Sequence, residues 1–257
     1  MPLPIESYEQ LQLFFWVLVR VSMLFFLFPI FGAKGIPPLW KAGASMVLAI
    51  LLTPLIPLPR ALPQTVFEIV TGLITEAMLA LFLAFIVRLF LTSVQMAGHF
   101  ISFQMGLAMA NTVDPETGAQ NTVLSQFLYL LIVLFFLAIN GHHLMIQALV
   151  QSFQVVPPSG FALKPIFAEI LIKVSSDMFV IAIKMAAPIM IALFLSNLCL
   201  GIVARTVPQL NILMVGFPLN IGMGLILFGL VVSNLSPFMT DIMRKIGQTL
   251  IGMIRYM

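Results

Sequence analysis

Six apolar runs, at about residues 11–31, 42–56, 66–94, 123–150, 166–201 and 210–232, fill most of this 257-residue chain and leave it little choice of fold. A helix crosses about 30 Å of hydrocarbon with roughly 20 apolar residues. The runs show no two-residue alternation and exceed the length of barrel strands. In an apolar medium a helix also satisfies its own backbone. The expectation is an all-α membrane-associated protein of long, partly broken helices and helical hairpins. With 61% of residues hydrophobic, 8% charged and a mean hydropathy of +1.13, the polar side chains are too few to cover a water-soluble fold.

Breakers mark the connectors. Gly32, Gly35, Pro37 and Pro38 follow the first run, Pro54, Pro57, Pro59 and Pro63 the second, and Pro157, Pro158 and Gly160 the fourth. In clusters such residues stop helices rather than kink them. Asn140-Gly141-His142-His143 interrupts the fourth run and is expected to bend or end it. Glu6 and Glu9, not Lys or Arg, precede the first run and no small-residue cleavage site follows it, so a removable secretory signal is not expected. Cys199 is the single cysteine, which excludes an internal disulfide and a cysteine-based metal site; a buried core thiol is expected. The net charge of +3 rests on few groups and no basic run carries interleaved aromatics, so no nucleic acid partner is implied. Arg244, Lys245 and Arg255 place basic charge in the tail, which suits an anionic membrane surface.

Orientation signals conflict. Six crossings put both ends on one side, yet the leading end is acidic and the trailing end basic, against the positive-inside bias. Arg60 and Lys164 join the tail on one side, while Lys34, Lys41 and Arg205 fall on the other. Charges inside the runs sharpen the conflict. Glu169, Lys173, Asp177 and Lys184 alternate in sign and fall within an arc of about 80° on one helix face. Each costs roughly 2.5–3.5 kcal/mol at a bilayer centre. Two readings fit: a self-paired or solvated face, each i, i+4 pair being worth ~0.3–0.5 kcal/mol, or a ladder facing a partner subunit or a water-filled channel. Glu68 and Glu76, with Thr65, Gly72 and Thr75 near them, repeat the pattern in the third run. Arg88 reads as a snorkelling side chain near a helix end, whereas Arg20 is central and calls for an acid or backbone carbonyls.

One segment is conspicuously wet: Gln104-Met105-Gly106, then Asn111-Thr112-Val113-Asp114-Pro115-Glu116-Thr117-Gly118-Ala119-Gln120-Asn121, then Ser125-Gln126. It is either an outside turn, since Asp-Pro-x-x-Gly suits one, or the working part of a pore. No catalytic constellation is present. His142 and His143 are about 100° apart on a helix and His99 lies in another run, so no metal site is expected. His-Glu-x-x-His, Gly-x-Ser-x-Gly and phosphate-loop motifs are missing. Gly216, Pro218, Gly222 and Gly224 would weaken a lone helix by about 1 kcal/mol per glycine and more for proline, so they read as a packing face for close neighbours. Residues 201–211, with Arg205, Pro208 and Gln209, read as the tip of a helical hairpin, either a plain turn or a contact tip.

Several of these stretches carry a family resemblance. Val19-Arg20-Val21-Ser22, Phe28-Pro29-Ile30-Phe31-Gly32, Gly35-Ile36-Pro37, Lys41-Ala42-Gly43, Asp114-Pro115-Glu116-Thr117-Gly118-Ala119-Gln120 and Asn140-Gly141-His142 resemble the FliR/SctT family of type III secretion export gate proteins. So do Gly201-Ile202-Val203-Ala204-Arg205-Thr206-Val207-Pro208-Gln209-Leu210-Asn211 and Val215-Gly216-Phe217-Pro218. The resemblance implies a FliP-like helical part, residues 1–175, fused to a FliQ-like helical hairpin and basic tail, residues 176–257. It implies a helical hetero-oligomer with FliP and FliQ, contacts to FlhB and FlhA and to membrane lipids, and a conduit for unfolded flagellar export substrates in the bacterial inner membrane and flagellar basal body. It further implies a gate lying largely out of the membrane plane, so that hydropathy spans need not match crossings. Residues Met105, Gly106, Met109, Asn111, Asp114, Pro115, Glu116, Gly118 and Gln120 take the position of the family's plug, a loop lying in the closed pore.

The expected function is thus a subunit of the flagellar protein export gate, without enzymatic activity or cofactor. Four other readings compete. An intramembrane enzyme acting on lipid would need a clustered acid or histidine motif, which is missing. A virulence-type secretion gate has the same architecture. A secondary transporter would also explain charges within apolar runs, but it usually shows two related halves, which are absent here. A plain scaffold subunit shares every sequence feature with a gate.

Overall fold

The first helix begins where a reciprocal cap becomes available. The Gln10 amide donates to Ser7 Oγ at 3.3 Å while the Ser7 amide donates to Gln10 Oε1 at 3.2 Å, satisfying two of the orphan donors of a helix start. The computed structural model describes residues 7–28, 31–32, 35–57, 63, 65–107, 122–206 and 212–256. Its helices are α1 (Tyr8–Leu27), α2 (Pro38–Leu52), α3 (Val66–Gln104), α4 (Val123–Ala138), α5 (Gly141–Val155), α6 (Ile166–Thr206), α7 (Ile212–Ser233) and α8 (Leu235–Tyr256), with a 3-10 turn at Thr53–Leu55; no strand occurs among the described residues.

Five of these helices are long and apolar enough to cross a membrane, α2 counting with its 3-10 turn, and α4 with α5 makes a sixth span bent by 67°. The bend falls at Asn140, whose φ of 59° lies in the left-handed region, as the Asn-Gly-His-His interruption led us to expect. At 39 and 41 residues, α3 and α6 are each about 60 Å long, twice the hydrocarbon thickness. The apolar run predicted at 66–94 underestimates α3 because Gln95, His99, Ser102 and Gln104 lower hydropathy without breaking the helix. Pro188 and Pro218 sit inside α6 and α7. α8 was read as a basic tail and is a strongly amphipathic helix: Met239, Ile242, Ile246, Leu250 and Met253 are buried, and Asp241, Arg244, Lys245 and Gln248 are exposed.

The chain divides into two compact units. One contains residues 1–89, 137–174 and 244–257; the other contains residues 90–136 and 175–243. In the first, α1 packs on α2 and the 3-10 turn, and Phe82, Phe161 and Phe167 form a ring cluster with centroids 5.2–6.2 Å apart. Gly72 lets α3 approach the Trp16 ring, 2.6 Å from where a Cβ would stand.

Arg20 and Glu76, both fully buried, join α1 to α3 in that unit. Nε of Arg20 donates to Glu76 Oε2 and Nη2 to Oε1 at 2.8 Å. The remaining donors reach Ser152 Oγ and the Val156 carbonyl, each at 3.2 Å, and the Phe153 ring lies 4.0 Å from the guanidinium carbon. The Ser159 amide closes the set by donating to Glu76 Oε1 at 3.0 Å. The expectation that Arg20 finds an acid or carbonyls holds for both. Glu68 parts company with Glu76: it caps α3, its amide donating to Thr65 Oγ1 at 3.2 Å and its carboxylate accepting from the Thr65 amide at 3.4 Å.

Two expectations are corrected. Cys199 is exposed, not buried, because it lies with Leu195, Leu198 and Ile202 on the outward side of α6. Arg88 is exposed but far from a helix end, since α3 continues to Gln104.

Removing one member of a buried, hydrogen-bonded ion pair strands the other, at a cost of about 3–5 kcal/mol. Glu76→Ala is therefore expected to lower the thermal midpoint of the detergent-solubilised protein sharply, while the double substitution Arg20→Met, Glu76→Leu recovers most of the loss. An unchanged midpoint for Glu76→Ala would show that the pair does not hold α1 to α3.

Candidate functional site

The wet segment leaves and re-enters the fold at two built anchors, both in the second unit. α3 ends at Gln104 and is capped at Gly106, whose φ of +82° is left-handed. The Gly106 amide donates to the Phe103 carbonyl and the Leu107 amide to the Ser102 carbonyl, each at 3.0 Å, the paired bonds of a Schellman cap. On the return side Thr122 caps α4: the Ser125 amide donates to Thr122 Oγ1 at 3.4 Å, and Ser125 Oγ to the Thr122 carbonyl at 2.8 Å.

Close approaches at three glycines hold the anchors, one between them and two against α7. A Cβ on Gly98 would stand 2.6 Å from Ser125 Cα, so the α3 and α4 backbones touch there. A Cβ on Gly224 of α7 would stand 2.6 Å from Met105 Cγ, and one on Gly106 would meet the Phe217 ring at 2.7 Å. Met105 is fully buried in this seam. Met105 and Gly106 thus belong to the fixed footing of the segment. Met109, Asn111, Asp114, Pro115, Glu116, Gly118 and Gln120 lie outside the described residues, as do Pro208 and Gln209 of the hairpin tip.

The hairpin itself is formed by α6 and α7. Asn220 Nδ2 donates to Asn197 Oδ1 at 2.6 Å across it, and Leu200 lies 3.5 Å from a Cβ on Gly216. Arg205 is exposed in the last turn of α6. The small-residue face is divided: Gly224 makes a close contact, whereas Gly222 has nothing within 4 Å. Glu169, Lys173 and Lys184 are exposed on α6 and Asp177 is half-buried, and no ion pair joins the four among the described residues. Their lengthwise spacing permits self-pairing, but the side chains do not take it.

Sequence reasoning missed Gly98 with Ser125, Asn197 with Asn220, and the Ser152–Ser159 contribution to the Arg20 site. The isolated asparagines in apolar runs were the available signal for the second; close backbone approach at Gly98 leaves none. The His142 and His143 rings lie 4.3 Å apart, and no group of three metal-ligating side chains occurs among the described residues.

The family described as bacterial export proteins, family 1, matches residues 11–246. The chain belongs to this family. It is similar to the flagellar biosynthetic protein FliR of Bacillus subtilis strain 168, with 39% identity over 220 residues covering 83% of each chain. It is similar to FliR of Escherichia coli K12, with 31% identity over 244 residues, 95% of this chain and 93% of the relative. FliR of Pectobacterium carotovorum is 33% identical over 230 residues, 88% and 86% of the two chains. The family match spans α1 to the middle of α8, so both anchors of the wet segment and the hairpin fall inside it. As a family member the chain is a flagellar export protein of the inner membrane, multi-pass by hydropathy.

Forcing a branched side chain into the Gly224 seam overpacks it, at a cost of about 1–3 kcal/mol. Gly224→Val is expected to lower the thermal midpoint in detergent, and Met105→Ala in the same chain to restore part of it. Gly222→Ala, with open space before it, is expected to be neutral or slightly stabilising by helix propensity. Equal effects at 222 and 224 would remove the seam from the account of the fold.

Proposed function

We propose that this chain, as a subunit of the flagellar type III export gate, helps to form the conduit for unfolded flagellar proteins and closes it with residues 108–121. Membership in the export family across residues 11–246 is the observation that carries the export role. The closing role is supported by how the segment is held. It is polar in an apolar chain, and its two ends are pinned within a single seam by Gly98 against Ser125 and by Met105 against Gly224. A stopper needs a fixed footing, so that its displacement leaves the helices packed. The acids Asp114 and Glu116, with Asn111 and Gln120, hydrate readily and suit a lumen that passes polypeptide.

In this reading the chain does no chemistry. FliP and FliQ surround it in a hetero-oligomer and FlhB and FlhA adjoin it, with residues 1–175 acting as a FliP-like part and residues 176–257 as a FliQ-like hairpin. Glu169, Lys173, Asp177 and Lys184 face neighbouring chains, since unpaired charges of alternating sign, three of them exposed, on so apolar a helix need polar counterparts. Arg205 stands at the hairpin tip as a contact residue.

Deleting residues 109–118 tests the closing role. Ion and small-molecule leak across the inner membrane is expected to rise while the subunits still co-purify. An unchanged leak with the assembly intact would leave the chain a scaffold.

A further inference from the structure

We infer that the row Thr92, Gln95 and His99 on α3 is a contact surface for the backbone of the passing polypeptide, a strip of conduit wall that offers it uncharged hydrogen-bond partners. The three stand at i, i+3 and i+7 on one helix, within an arc of about 60°. All three are half-buried, and none of their side chains is hydrogen-bonded among the described residues. The other side of the same turns is packed shut: Phe90, Leu91, Val94, Ala97 and Ile101 are each at most 1% exposed. Ser102 continues the row but is fully buried, so the open part of the row ends at His99. The whole row belongs to the second unit.

Polarity singles this face out. In the same unit the large exposed side chains of α4 and α7 are apolar, among them Val123, Phe127, Leu130 and Ile226. Those faces fit apolar neighbours, whereas Thr92, Gln95 and His99 call for water or polar groups. α3 then leads through its Gly106 cap into the segment proposed to close the conduit. A stopper seated in a lumen puts the last turns of its supporting helix at the lumen wall, and this row is the side of those turns that water can occupy. The chemistry suits an unfolded chain. Each residue of such a chain carries a backbone donor and acceptor that must stay paired on leaving bulk water. A glutamine amide and a threonine hydroxyl offer both partners, and imidazole in its neutral form offers one of each. Residues 89–104 contain no Asp, Glu, Lys or Arg, so a chain of either net charge passes without being held.

This inference rests on the conduit reading and not on the closing role, so an unchanged leak after loop deletion leaves it standing. The test places a photoreactive amino acid in place of Gln95, His99, Asp114 or Leu130 in the intact export complex in cells. An exported flagellar substrate fused to a domain that cannot unfold is stalled in the gate. Adducts to the substrate are expected from positions 95, 99 and 114 and not from 130, which lies on an apolar face. Substrate adducts from 114 alone, with 95 and 99 bonded to neighbouring subunits, would overturn the face and spare the conduit. No substrate adduct from any position would overturn both. The rate of export gives a second readout. Thr92→Val, Gln95→Leu and His99→Leu together remove the hydrogen-bonding atoms and are expected to slow export about tenfold with the complex recovered in full, while Gln95→Asn with His99→Gln keeps most of the rate. Gln95→Lys serves if the triple variant does not assemble, and is expected to slow acidic substrates more than basic ones. Unchanged export by an assembled triple variant, or equal export of acidic and basic substrates by Gln95→Lys, would overturn the contact surface.

Discussion

Coiling into helices satisfies the backbone of an apolar chain, but it does nothing for the side chains that point outward. This constraint governs the whole molecule. On α6, Ile183, Ile191, Phe194, Leu195, Leu198 and Ile202 are each more than half exposed, and on α7 so are Met214, Ile226 and Leu230. Water cannot be the surroundings of such faces. They are complete only against lipid or other apolar chains, whereas the exposed charges at Glu169 and Lys173 on the same long helix call for water or polar groups beside that stretch. On the proposed function, that remaining surface belongs to an assembly.

At Arg20 the chain closes a buried polar site by itself, and does so fully. Arg20 finds an acid, a hydroxyl, a carbonyl and an aromatic face, and Glu76 accepts from a backbone amide besides. Breaking such a site is costly, which makes it suited to holding a framework. The seam at Gly98, Met105 and Gly224 works differently. It relies on missing side chains that let backbones meet, a device suited to apolar surroundings where burial alone gives helices no reason to associate. The first feature holds α1 to α3 in one unit, and the second holds the helices that bound the wet segment in the other.

Much of this was legible beforehand. Helix positions followed from hydropathy because each apolar run is long, and the break at Asn140 followed from Asn-Gly. The need of Arg20 for a partner was legible, but its identity was not, because Glu76 lies 56 residues away and only tertiary packing brings it there. α8 escaped notice because its apolar residues recur every three or four positions instead of running together, so average hydropathy is low where one face is fully buried. Cys199 was misjudged because an apolar neighbourhood in sequence does not distinguish the inner face of a helix from the outer one in a chain whose outer faces are also apolar. The roles of Gly98 and Gly224 need coordinates, since Gly222 carries the same letter and touches nothing.

The claim that these helices are completed by neighbouring chains is tested most directly by the mass of the native particle purified from membranes through this protein. A large hetero-oligomer in which this 28.4 kDa chain is one component is the expected result. A stable, well-folded monomer or small homodimer would contradict it.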